Sequence, residues 1–278
     1  MLRLRQISLI TFMVLGLQSF AGGEITPRGA RSMAMGNSAV MLSDIWSAYN
    51  NQAGLIGLEG LQGGAYYHNL FSMGGLADQG FVVAFGQKER AFALNVSTFG
   101  QDVYSENRYG LAYAMKLGDK LDLGVQLNYH NTSIKVEDYG ARSSLTAEIG
   151  LVSHLTDKFD LAFHLFNPSQ TQLSEYEDER LPTVMSLGGS YAFNEKVILV
   201  SEVTKDIDTE TILRAGIEYR IVETVYIRGG VSSEPTLSSF GAGVVLGQLD
   251  LDIAASYHNV LGYSTQLSLS YSFDRNVQ

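Results

Sequence analysis

The residues that could do chemistry are few and scattered. Histidines stand at His68, His130, His154, His164 and His258, with no HxH or HxxxH pair among them. Each therefore reads as a strand-end or lumen residue rather than a metal ligand. Asp250-Leu251-Asp252 supplies two carboxylates but lacks the rest of a calcium loop. Gly241-Ala242-Gly243 follows a serine-rich turn but opens no helix, so it does not form a phosphate cradle. GxSxG does not occur. The absence of cysteine rules out thiol catalysis and disulfides. The expectation is a non-enzymatic chain with no catalytic residues, no metal site and no cofactor.

The remaining polar chemistry falls on every second residue. Tyr109, Leu111, Tyr113, Met115 and Leu117 alternate with Gly110, Ala112, Ala114 and Lys116. After Gly118-Asp119-Lys120, Leu121, Leu123, Val125, Leu127 and Tyr129 alternate with Asp122, Gly124, Gln126, Asn128 and His130. Period two with one apolar face predicts a β-hairpin. The module recurs over 145–165, 185–203, 213–231 and 240–257, followed by a last segment through Leu267, Leu269, Tyr271 and Phe273. Three weaker strands precede these, at Leu61–Phe71, Gly80–Gly86 and Arg90–Phe99. The count is about fourteen strands of roughly 9–14 residues, long enough to cross a bilayer when tilted.

Connections sort into tight turns (GDK, TDK, NEK, VET, GQ) and longer loops, as in an outer-membrane barrel with short periplasmic turns. The longest loop, Asn167–Leu181, is made acidic by Glu175, Glu177, Asp178 and Glu179, and reads as a solvated loop. Strand arrays in lipid must close so that no backbone group is left unpaired. Tyrosines near segment ends suit an interfacial girdle. The fold expected is all-β, a closed transmembrane antiparallel barrel. Its inward set contains Asp122, Gln126, Asn128, Glu148, Asp160, His164, Asp250 and Asp252. The charges Glu202, Arg214, Glu218, Arg220 and Arg228 are expected in the lumen, hydrated or ion-paired.

Bulk properties agree. Charged residues make up 17%, below the roughly 25% usual for soluble domains. Net charge is −10 with no basic patch, which argues against a nucleic-acid partner. Arg3 and Arg5, the apolar run Ile7–Leu17 and Ser19-Phe20-Ala21 have the parts of a signal peptide cleaved before Gly22. The expected division is residues 1–21 as leader, 22–60 as an N-terminal segment held in the lumen, and 61–278 as barrel.

That N-terminal segment does not alternate. Gly29 to Leu55 reads GARSMAMGNSAVMLSDIWSAYNNQAGL, rich in small residues and methionine. Ser43 is placed to cap a short helix through Trp46 and Tyr49 that ends near Gly54. Gly29-Ala30-Arg31-Ser32-Met33-Ala34-Met35-Gly36, then Ser43-Asp44 and Ala48-Tyr49-Asn50-Asn51-Gln52-Ala53-Gly54-Leu55, resembles the N-terminal signature of the PorV/PorQ and FadL-like outer-membrane proteins. Gln52 stands where that signature usually has proline, which fixes φ as glutamine does not. The resemblance covers nearly the whole mature chain. It implies a fourteen-stranded barrel with a hatch in the lumen, and it makes Met33, Met35, Trp46, Tyr49, Asn50, Asn51, Gln52 and Gly54 the hatch residues to examine.

Two functions follow from the resemblance. The first is a PorV/PorQ-type accessory or scaffold barrel in type IX-like secretion, with outer-membrane lipid and secretion proteins as partners. The compact loops and charged lumen favour it. The alternative is a FadL-like transporter of hydrophobic small molecules. That alternative predicts an apolar path and a gap in the wall beside Met33, Met35, Trp46 and Tyr49.

Overall fold

The computed structural model describes residues 26–101, 103–135, 140–171 and 180–274. The expected leader and the acidic run 172–179 lie outside the described residues. The strands are β1 (Gly60–Asn69), β2 (Ala77–Gln87), β3 (Arg90–Gln101), β4 (Tyr104–Lys116), β5 (Leu121–Ile134), β6 (Gly140–Thr156) and β7 (Phe159–Phe166). They continue as β8 (Val184–Asn194), β9 (Val197–Asp206), β10 (Thr211–Val222), β11 (Val225–Ser232), β12 (Leu237–Leu246), β13 (Leu249–His258) and β14 (Gly262–Ser272). Each pairs antiparallel with its sequence neighbours, and β1 pairs with β14 to close a fourteen-stranded barrel.

Closure satisfies every edge, which lipid requires. The period-two pattern then fixes which face is wet. In β2, Phe81, Val83 and Phe85 point outward while Val82 and Ala84 are buried. In β5, Asp122, Gly124, Gln126 and Asn128 are buried, and Leu127 faces out at 65% exposure. Aromatic pairs mark both rims. Tyr109 lies opposite Tyr129, and Tyr257 opposite Tyr263, at one end. Phe92 against Tyr113 and Tyr271 against Phe273 mark the other. An apolar belt between aromatic girdles is the surface that a bilayer solvates.

The start of β1, the end of β14 and the tight turns 88–89, 117–120, 157–158, 195–196, 223–224 and 247–248 share one rim. Longer connections, including 70–76, 167–183, 207–210, 233–236 and 259–261, share the other, where the tight link from Gln101 to Tyr104 is an exception. The expected first strand runs too far: β1 stops at Asn69, and residues 70–72 form a 3₁₀ turn with Phe71 at φ 53°.

The outward placement of Leu127 gives a direct test. Leu127→Arg sits near the middle of β5, where a charge on the lipid face costs about 2–4 kcal/mol. The expected result is a correspondingly lower urea midpoint for the barrel folded into lipid vesicles.

Candidate lumen site

Residues 26–59 lie inside the barrel. Two short helices, α1 (Ala30–Ala34) and α2 (Ser47–Asn50), and a 3₁₀ turn at Gln52–Gly57 supply the regular structure. Ser43 does not cap a helix as expected. Its Oγ donates to the Gly54 carbonyl at 2.7 Å, and α2 begins four residues later. Asp44 does the local work instead, its Oδ1 accepting from the Trp46 N–H at 2.9 Å.

The segment makes a circuit of the inner wall. α1 packs on β11 to β14, and the Ala30 N–H donates to Ser268 Oγ at 3.1 Å. Met35 and Gly36 then lie on β10 and β11, Val40 and Met41 on β8, Asn51 on β6, and Ala53 on β5. The approach is close at Gly216 and Gly230, which face each other across β10 and β11, and equally close at Gly124 and Gly150. A Cβ on Gly230 would stand 2.2 Å from Gly36 N, and one on Gly216 would stand 2.4 Å from Met35 Cβ. The wall therefore lacks side chains where the segment's backbone passes.

Three wall glutamates anchor the circuit. Glu202 Oε2 accepts from the Ala39 and Val40 N–H groups at 2.7 and 3.0 Å, while its Oε1 faces Arg214 Nη1 at 3.0 Å. Glu218 takes Arg31 side-on, from Nε at 2.9 Å and Nη2 at 2.8 Å, and also pairs with Arg228 at 2.6 Å. Arg228 continues to Asp252 at 2.5 Å, and Arg31 to Asp44 at 3.2 Å. Burial works against the charge on Arg31, but Glu218 and Asp44 outweigh it and hold the guanidinium protonated above its ordinary range. Glu148 Oε2 accepts from Gln52 Nε2 at 2.8 Å and meets His164 Nε2 at 2.9 Å. Its Oε1 takes Arg108, Gln126 and Asn128. Each acid is thus neutralised from the wall and presents an oxygen to the segment, the arrangement that makes buried charge tolerable.

The largest apolar contact lies on one side, with smaller ones where Met35, Val40, Met41, Leu42 and Ala53 meet Val152, Ala162 and Val200, and where Ala30, Met33 and Ala34 meet Ala254. Ile45, Trp46, Tyr49, Leu55 and Leu58 pack against Tyr66, Val82, Ala84, Ala91, Ala93, Ala112 and Ala114. The result is a strip along β1 to β4 whose wall side is mostly alanine. Tyr66 stands edge-on to both Trp46 and Tyr49, with centroids 5.8 and 5.6 Å away. Tyr49 Oη lies 2.7 Å from the Phe81 carbonyl and 2.9 Å from that of Val96, opposed residues of β2 and β3. β2 and β3 pair without a break from Asp78–Phe99 to Gln87–Arg90, so the gap expected beside Tyr49 is closed. A cavity of about 40 Å³ remains between the segment and β7 to β10, bordered by Pro27, Val40, Asn50, His164, Phe166 and Arg214.

The expected hatch residues are brought together inside the barrel. Met33, Met35, Trp46, Tyr49, Asn51, Gln52 and Gly54 are buried, and Asn50 bonds Arg28 in both directions at 2.8 Å. Glu202, Arg214, Glu218 and Arg228 fall in the anchoring network. Arg220 does not: it sits toward the short-turn rim, 4.0 Å from the exposed Glu195. Sequence reasoning passed over Arg28, which meets Asp78 at 2.7 Å, and Arg31, Asp44 and Arg108. Extending the alternation of β4 back by one residue pair would have put Arg108 in the lumen.

No family model matches the chain, and no curated protein matches it. Solved structures do. The CymD monoaromatic hydrocarbon channel is similar with a TM-score of 0.73 at 13% identity, covering 91% of this chain and 99% of that one. The Ralstonia pickettii toluene transporter TbuX gives 0.69 at 12% identity, covering 89% and 97%. A Pseudomonas aeruginosa FadL homologue gives 0.67 at 13% identity, covering 91% and 100%. The fold is that of FadL-like outer-membrane barrels. The PorV/PorQ side of the resemblance gains no support from these structures.

Proposed function

We propose that this chain is an outer-membrane barrel that passes hydrophobic small molecules, with residues 26–59 acting as a hatch. The observation that carries the reading is the apolar strip between the segment and β1 to β4. Elsewhere the apolar contacts are smaller and are interrupted by the Glu148, Glu202 and Glu218 anchors, which suits holding the segment rather than apolar cargo. On the strip, the alanine wall leaves the large groups to the segment, so a modest shift of Trp46, Tyr49 or Leu55 opens apolar space without breaking the wall. The CymD and TbuX channels of the same fold are named for monoaromatic hydrocarbon and for toluene, and that supports a small, apolar cargo.

The test is uptake of a monoaromatic hydrocarbon by vesicles holding the purified barrel. Uptake should exceed that of protein-free vesicles, and Ala112→Phe, which fills the strip from the wall, should reduce the excess at least fivefold (about 1 kcal/mol). Uptake equal to that of protein-free vesicles would sink the proposal. Fractionation with outer-membrane markers tests the placement.

A second reading, an accessory barrel of a secretion complex, is favoured by the filled lumen, since a scaffold needs no path. It predicts a stable protein partner on purification from native membranes. A barrel that elutes alone and still takes up hydrocarbon decides against it.

A further inference from the structure

We propose that His68 and Gln266 form a receptor for a single hydroxyl group, carried by a monoaromatic guest that is otherwise apolar. The proposal rests on the transport reading and narrows its cargo to aromatics bearing one hydroxyl.

Both oxygens of Glu148, Glu202 and Glu218 are engaged. His68 and Gln266 differ. Among the described residues they are the only side chains with two polar atoms both buried and without a partner. His68 is 7% exposed and Gln266 1%. The two oppose each other across β1 and β14, on the inner face. Opposed Cβ atoms of an antiparallel pair stand about 4.5–5.5 Å apart, so both side chains reach one atom between them. Turning the Gln266 amide over exchanges one unpartnered atom for another, so no reassignment of its oxygen and nitrogen removes the deficit. The neighbours do not supply the partner. Asp78, opposite His68 on β2, holds Arg28 at 2.7 Å and Tyr66 at 3.0 Å. Ser264 and Ser268, on either side of Gln266 along the inner face of β14, accept from the Phe71 and Ala30 N–H groups at 2.9 and 3.1 Å. Ala254, opposite Gln266 on β13, has no polar side-chain atom.

The chemistry of the deficit names the guest. A neutral imidazole offers one donor and one acceptor, and a primary amide offers both. A hydroxyl donates once and accepts twice, so it answers the pair from a single atom. A carboxylate would leave the acceptors unanswered, and an ammonium would leave the donors unanswered. Buried polar atoms left unpaired are costly, so a guest that brings the hydroxyl gains over one that lacks it. Position supplies the aromatic part. His68 is the last inward residue of β1 before the long-loop rim, two residues on from Tyr66 of the apolar strip. A hydroxyl seated at the pair places the rest of its guest next to Tyr66, whose ring stands edge-on to Trp46 and Tyr49. Offset and edge-on contacts of this kind are what an aromatic guest would extend.

The test compares toluene with para-cresol, which differ by one hydroxyl, on the full barrel in lipid vesicles. Protein-dependent uptake of para-cresol should reach half-saturation at a concentration about tenfold below that of toluene, since a site built for a hydroxyl discriminates against the analogue that lacks it. Gln266→Leu keeps the approximate volume and removes the polar atoms, and it should bring the two half-saturation points together. Gln266→Met takes its place if the leucine variant yields no folded barrel. The nitrogen resonances of the His68 imidazole, identified by their loss in His68→Phe, should move on addition of para-cresol and stay in place with toluene. Equal half-saturation points in the wild-type barrel overturn the receptor, leave the pair to ordered water only, and let the transport reading stand. A preference for para-cresol that survives Gln266→Leu places the hydroxyl elsewhere and overturns the receptor as well. Uptake of both compounds at the protein-free level removes the transport reading itself, and the receptor with it.

Discussion

Gly230→Val is expected to drive the segment off the wall while leaving the barrel closed. The added Cβ would fall 2.2 Å from Gly36 N and from Met35 C, backbone atoms that cannot rotate away. Gly36 itself has φ 70°, so the turn it makes has few alternatives. Valine is favourable in a strand, and β11 gains rather than loses propensity. The strain therefore falls on the segment, at about 3 kcal/mol, the upper end for overpacking. That corresponds to about two decades in the equilibrium between seated and displaced segment. The chain has a single tryptophan, Trp46, seated in the segment. Acrylamide quenching of its fluorescence should rise sharply in the variant, while heat-modifiable migration on gels stays that of a folded barrel. Quenching at the wild-type level would mean that the segment is not held where the wall lacks side chains.

Glu218→Ala should give the largest loss of stability of any single lumen substitution. Arg31 and Arg228 both depend on this carboxylate, at 2.8–2.9 and 2.6 Å, and Arg228 is buried. Removing one partner of a buried charge network typically costs about 3–5 kcal/mol, because the charges left behind are not solvated. Glu218→Gln, which keeps the volume and an acceptor oxygen, should cost less. The double variant Arg31→Met with Glu218→Ala should cost less than the two single changes summed, since Arg228 then retains Asp252 with one fewer stranded cation. Unfolding by urea in lipid vesicles measures all four proteins. Strict additivity would show that Arg31 and Glu218 do not act as a pair.

The barrel was legible because its solvent imposes a simple rule. Side chains alternate faces along a strand, and lipid outside with polar groups inside turns that geometry into a period-two code. Tyr109 to Tyr129 displays the code without interruption, and β4 and β5 follow it residue by residue. The same code placed Glu148, Glu202, Arg214, Glu218 and Arg228 in the lumen before any partner was known. It failed at Phe71, where the chain leaves the strand for a 3₁₀ turn, because an apolar residue in step with a strand carries no mark that the strand has ended.

Within the segment no such code exists. Its residues are packed from several directions at once, so neither period two nor period 3.6 survives. Ser43 looked like a helix cap because its type and spacing fit one; its hydroxyl instead reaches the Gly54 carbonyl, eleven residues on, a contact made only once the chain folds back. Gln52 stood out by occupying the place of a proline. That it bonds Glu148, 96 residues away, depends on a strand pairing that local sequence does not express.

The sequence by itself determined the strand count, the face of each residue and the presence of a non-alternating segment to be enclosed, because these follow from local chemistry against two solvents. The tertiary structure decided which carboxylate meets which donor, where the wall must lack side chains, and that Tyr49 bonds an unbroken β2–β3 wall rather than flanking a gap. Those are contacts between residues tens to hundreds of positions apart, and closure of the barrel brings them within reach.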